Sequence, residues 1–244
     1  MIYITGDIHG DAMRILRFAK DQKLKKSDVI IILGDVGANY YMNARDESTK
    51  KLLLSCKPTI LCIHGNHECR PEHIGYYKTK KWRGGIVWYE EQYPNVLFAK
   101  DAEIFTIDEM RFLVIGGAYS VDKDYRISRG WSWWSDEQPS DDIKKQAEAV
   151  LHENQVDVIL SHTCPEKYIP TEMFLPFIDQ SSVDRSTEIW LDKIEETTDY
   201  KLWYCGHYHT NKHIDKIHFL FDKFETISLQ RYSETEPFPT GQEK

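Results

Sequence analysis

The 244-residue sequence predicts an α/β fold built on parallel strands, on three observations. Short all-apolar runs alternate with amphipathic runs in the order βαβαβ, which calls for parallel pairing. Later strand candidates sit on either side of charged two-residue turns, so antiparallel pairs join the parallel ones. Five strand candidates are each followed at once by a residue of metal-ligating type, where parallel-sheet proteins gather their sites.

The elements follow in order. Residues 2–5 read as a short strand. Residues 11–23 carry Ile15, Leu16, Phe18 and Ala19 at helical spacing. Residues 29–33 are apolar and mostly β-branched, as in a central strand buried on both faces. Residues 46–56 read as a helix and 59–63 as a third strand. Residues 86–89 and 96–100 are further strands. Residues 104–107 and 111–115 form a hairpin around Asp108 and Glu109. Residues 117–139 are aromatic and charged without periodicity, so they read as a long ordered loop, a type of segment that is often functional. Ser140 caps a helix with Asp141 and Asp142 in its first turn. Residues 156–160 read as a strand, 184–196 as a helix and 202–205 as a strand. Residues 217–221 and 226–229 read as a closing hairpin. Residues 1–232 form one domain, and 233–244, with Pro237, Pro239 and Gly241, a flexible tail.

Composition narrows the function classes. The net charge is −8, from 39 acidic and 31 basic residues. That speaks against an extended grip on nucleic acid. A phosphate-bearing substrate stays open, because bound divalent ions reverse a local field. No apolar run approaches the roughly 20 residues of a membrane helix, and MIYITGDIHG lacks the basic start of a signal peptide. Five cysteines without a CxxC read as buried free thiols. Together these place the chain in the cytoplasm, away from membranes.

The five turns are Gly6-Asp7-Ile8-His9, Gly34-Asp35, Gly65-Asn66-His67-Glu68, Ser161-His162, and Gly206-His207-Tyr208-His209. Asp7, His9, Asp35, Asn66, His162, His207 and His209 offer four imidazoles, two carboxylates and a carboxamide. Alone, each has a bland reading as a cap, turn or structural histidine. Together they exceed the three or four protein ligands of one zinc ion. They suit two ions sharing a bridging carboxylate. Nitrogen and oxygen donors without thiolate favour manganese, iron or zinc, with nickel also compatible. Cys164 and Cys205 lie beside these turns and read as packing residues.

GDIHG, GDVG, GNHE, a lone histidine after a strand, and GHYH occur in that order over positions 6–209. As a set they resemble the calcineurin-like metallophosphoesterase superfamily. The resemblance implies two mixed β-sheets packed as a sandwich and flanked by helices, a four-layer αββα fold. It also implies a dinuclear metal-dependent hydrolase of phosphate esters. By matched positions, Asp7, His9 and His209 hold the first ion and Asn66, His162 and His207 the second, with Asp35 bridging. A metal-bridging hydroxide is then the nucleophile, and His67 the general acid.

One motif departs from the pattern. Serine/threonine phosphatases of this family extend the second motif as GDxVDRG, whose aspartate orients the histidine and whose arginine grips phosphate. Here those two positions hold Ala38 and Asn39. The departure favours a phosphorylated small molecule or nucleotide over a phosphoprotein. It also leaves phosphate binding to another arginine, Arg70 or Arg126. Trp131, Trp133 and Trp134 either stack on a substrate base or pin the loop. Weaker alternatives are a phosphoprotein phosphatase, a metal-stabilised binding module without turnover, and a single-strand nuclease.

Overall fold

The computed structural model describes residues 1–174 and 180–227. Its strands form two mixed sheets. The first contains β1 (Ile2–Thr5), β2 (Val29–Ile32), β3 (Thr59–Cys62), β4 (Lys78–Trp82), β5 (Gly85–Tyr89), β6 (Val96–Ala99) and β13 (Phe224–Ile227). Their order is β13-β1-β2-β3-β6-β5-β4, with β1, β2, β3 and β6 parallel. The second contains β7 (Ile104–Ile107), β8 (Met110–Ile115), β9 (Val158–Ser161), β10 (Leu202–Cys205), β11 (Lys212–Ile214) and β12 (Ile217–Phe219). Its order is β11-β12-β10-β9-β8-β7, with the central four parallel.

The central strands are largely apolar because each has two dry faces. Ile31, Leu33, Leu61 and Ile63 point between the sheets, where they meet Phe105, Phe112, Val114, Leu160 and Tyr204. The alternate residues Ile30, Ile32 and Ile60 face outward, onto α1 (Ala12–Asp21) and α2 (Ala44–Leu54) through Ile15 and Leu53. On the other side Leu113, Ile159 and Trp203 pack against α4 (Asp141–Glu153) and α5 (Ser186–Thr197) through Ala147, Trp190 and Leu191. This is the sandwich of two mixed sheets between helices that the resemblance implies.

The structure corrects three local expectations. The expected closing hairpin does not form. β12 lies beside β10 in the second sheet, while β13 crosses to the edge of the first and pairs with β1. The crossing is fixed by Asn211, whose Oδ1 accepts the Phe221 and Lys223 N–H groups at 3.0 and 3.2 Å. Residues 117–139 are not all loop, since they contain the short helix α3 (Lys123–Ser128). Six residues are too few to show a helical period. β4 and β11 are strands that the apolar pattern does not announce, because they are short, polar edge strands.

All five cysteines are buried and free, as their spacing suggests. Among the described residues, no helix is long and apolar enough to cross a membrane. The expected tail, 233–244, lies outside the described residues, as do 228 and 229.

Leu160 is fully buried between the sheets. Leu160→Ala should cost about 2–5 kcal/mol, measured by urea unfolding, with little change in the native circular dichroism.

Candidate metal centre

The parallel strands of both sheets aim their carboxyl ends at one edge of the sandwich. β1 leads to Asp7 and His9, β2 to Asp35, and β3 to Asn66 and His67. β9 leads to His162, and β10 to His207 and His209. The turns are tight. His9, Asp35, His207 and His209 have φ of 44°, 46°, 65° and 49°. Side chains in this left-handed region cost of order 1–3 kcal/mol each, and such strain gathers at functional sites. Two glycines let the turns close. A Cβ on Gly206 would lie 2.3 Å from Asp7 Oδ1, and one on Gly34, itself at φ 105°, 2.2 Å from His162 Nδ1.

Hydrogen bonds stitch the two sheets together at this edge. The His207 N–H donates to Asp7 Oδ1 at 3.0 Å. His162 Nδ1 lies 2.7 Å from the Leu33 carbonyl, so it carries the proton and donates there. The His67 N–H donates to Asp35 Oδ1 at 2.8 Å. Glu68 is buried; its carboxylate accepts the Val36 and Gly37 N–H groups on one oxygen and that of Gly65 on the other. It ties the turn after β3 to the turn after β2. Burial, with Asp35 nearby, pushes its carboxyl up to about 8 against those three donors.

What remains is an excess of lone pairs. Asn66 Nδ2 donates to Ser120 Oγ at 2.8 Å, which fixes its amide and aims Oδ1 at the cluster. That oxygen lies 2.8 Å from His162 Nε2 and 3.1 Å from His207 Nδ1. With its Nδ1 proton directed at Leu33, the neutral tautomer of His162 turns a lone pair toward that oxygen, an acceptor facing an acceptor. His9 Nε2 and His209 Nε2 lie 2.9 Å apart. Asp7 Oδ2 is buried without a hydrogen-bond partner, 3.3 Å from His209 Nε2. Burial, reinforced by His162, lowers His207 to about 3, so its imidazole is neutral. The Asp7 carboxylate, its Oδ2 at 3.3 Å, raises His209. Converging acceptors repel one another unless a cation sits among them. The residues present therefore fit a metal.

Three overlapping groups share the two carboxylates: Asp7 with His9 and His209; Asp7 with Asp35 and His162; Asp35 with His9 and His67. Within each group the ligand atoms lie within 4.8 Å of one another. All seven residues named as ligands from the sequence thus meet at this edge. His67 joins them more closely than an acid on the rim would.

A cavity of about 450 Å³ opens over the cluster. His9, Asp35, Asn66, His67, His207 and His209 form its floor, and Val121, Ile169, Met173, Phe174 and Val183 its apolar wall. Neither arginine named from the sequence reaches it. Arg70 is buried, with its guanidinium committed to Asp101 and to the Asp136 and Gln138 carbonyls. Arg126 is fully buried, donating to Ser120 Oγ at 3.1 Å and to the Ser132 carbonyl. The arginine on the cavity wall is Arg185, partly exposed at the N-cap of α5. Asp122, also on the wall, places Oδ1 3.8 Å from His67 Nε2. Asp122 sits in the aperiodic stretch 117–139 and Arg185 at the very start of the expected helix 184–196, and neither belongs to a motif that marks it. The three tryptophans do not line the cavity. Trp133 donates to Glu137 at 2.7 Å and Trp134 packs against the core, pinning the loop.

Comparison with known proteins agrees with the fold. The model of a family described as calcineurin-like phosphoesterase matches residues 1–211. The chain belongs to the calcineurin-like phosphoesterase family. Among solved structures it resembles the crystal structure of TT1561 of Thermus thermophilus. The TM-score is 0.52 at 12% identity, over 89% of this chain and 87% of that one, which is a likeness of fold. Among curated proteins, no relative matches the chain. Calcineurin-like phosphoesterases are metal-dependent, and the cluster above contains candidate donor groups for a metal.

Glu68→Gln sets an NH2 group against one of the N–H donors that its carboxylate now accepts. The variant should lose about 1–3 kcal/mol of stability and bind manganese more weakly, read by urea unfolding and isothermal titration calorimetry.

Proposed function

We propose that the chain is a dinuclear metal-dependent hydrolase of phosphate esters acting on a phosphorylated small molecule or nucleotide. The observation that carries this is the convergence of lone pairs on two shared carboxylates, Asp7 and Asp35. Asp7, His9 and His209 would hold one ion and Asn66, His162 and His207 the other, with Asp35 between them. Manganese, iron or zinc suits such nitrogen and oxygen donors. Ions held there supply Lewis acidity toward a phosphoryl oxygen and lower the pKa of water.

The chain's own residues supply the rest. His67 lines the cavity beside Asp35, where its ring gives a proton to the departing oxygen. Burial lowers its pKa, while the Asp35 and Asp122 carboxylates favour its protonated form and Arg126 opposes it. Asp122 thereby stands in for the carboxylate that the second motif lacks at Ala38. Arg185 takes the part assigned in sequence to Arg70 or Arg126, meeting the substrate's negative charge from the wall. Val121, Ile169, Met173, Phe174 and Val183 offer the rest of the substrate an apolar surface, which suits a compact organic group better than a charged, extended peptide. The buried, unpaired cysteines agree with a reducing, cytoplasmic setting.

With manganese, Asp35→Asn should abolish release of phosphate from aryl and alkyl phosphates; wild-type rates in that variant refute the proposal. His67→Ala should lower kcat for alkyl phosphates by roughly 10²–10⁴-fold, and much less for nitrophenyl phosphate, whose leaving group needs no proton. Asp122→Asn should lower kcat roughly tenfold, about 1.4 kcal/mol of barrier, for alkyl phosphates alone. Arg185→Ala should raise KM with kcat nearly unchanged, whereas equal effects on both would place it nearer the reacting atoms.

A further inference from the structure

A second convergence of donors lies away from the cavity. His213 on β11 and His218 on β12 are direct partners across their antiparallel ladder. Their rings stack 3.9 Å apart at 16°. Glu225 comes from the other sheet, on β13, where it pairs with Ile4 of β1. Its Oε1 lies 2.5 Å from His213 Nε2, and its Oε2 2.8 Å from His218 Nδ1. The three ligand atoms all lie within 4.8 Å of one another.

One divalent ion would engage all three groups at once, since it takes the imidazoles as neutral ligands and neutralises the carboxylate.

We propose that His213, His218 and Glu225 form a divalent transition-metal site, for zinc above all, that joins the edges of the two sheets. Two imidazoles and a carboxylate are a zinc donor set, with a fourth position left for water. Two nitrogen donors of three argue against calcium or magnesium. Bonds of about 2.0–2.2 Å in a tetrahedron set ligand atoms roughly 3.3 Å apart. His213 is more than half exposed and has room to turn through the small difference. None of the three residues lines the cavity.

The site would close a short loop. Between His218 and Glu225 the chain passes Phe221, whose ring stacks on His209 at 4.6 Å. The Phe221 carbonyl accepts from Arg14 Nη2 at 3.0 Å. A bound ion would hold both ends of this loop and so steady the crossing from one sheet to the other.

Equilibrium dialysis of the full chain against micromolar zinc tests the proposal. Wild type should take up one zinc per chain more than either His213→Ala or Glu225→Gln. Zinc should also raise the Tm of wild type above that of both variants. Far-UV circular dichroism confirms that the variants fold, and their phosphoesterase rates should match wild type. The zinc difference is read independently of hydrolysis, so loss of the catalytic proposal would leave it standing. Equal uptake by all three folded proteins overturns it.

Discussion

Lone pairs that repel one another set the terms for the rest of this structure. Seven side chains from five turns and two sheets crowd their nitrogen and oxygen atoms into one small volume, where a cation would relieve the excess of lone pairs. The sandwich exists in a form that can bear this cost. Its strands are buried on both faces, so their carboxyl ends are held by three layers of apolar packing. Four ligands then tolerate left-handed backbone because the strands leave their turns no alternative.

The stitching between sheets is made of the same residues. Asp7 holds the His207 backbone and His162 holds the Leu33 carbonyl, while Glu68 ties together two turns of the first sheet. Each of the first two bonds fixes a turn and also leaves a defined atom facing inward. His162 shows the economy: one nitrogen is spent on the other sheet, so the second has only its lone pair to offer. Geometry at the site and registry between the sheets are therefore one property.

Much of this is legible in the sequence because it depends on local order. An apolar run followed by Gly-Asp, or by a histidine, places a donor at a strand's end regardless of tertiary detail. The proposed ligand set can thus be written down before any strand has a partner. What is not legible depends on long-range choice. Local pattern pairs Thr226 with residues 217–221 in a hairpin, yet its strand runs to the opposite sheet, where β1 has an open edge. Arg70 and Arg126 stand out because arginine suits phosphate, but sequence does not show which arginine is already claimed. Asp101 claims one, and Ser120 with the Ser132 carbonyl the other. Asp122 lies in an aperiodic stretch and Arg185 at the start of an expected helix, and neither belongs to a motif.

The cavity divides its labour along the chain. Its floor is drawn from the ends of core strands, where a substitution disturbs both sheets. Four of its apolar wall residues, Ile169, Met173, Phe174 and Val183, belong instead to the connection that leads from His162 to α5. Beyond His162 and short of Arg185, that connection can change in sequence without moving a proposed ligand. A lineage carrying this fold could therefore trade one substrate for another by rewriting a single surface segment, keeping its chemistry intact throughout.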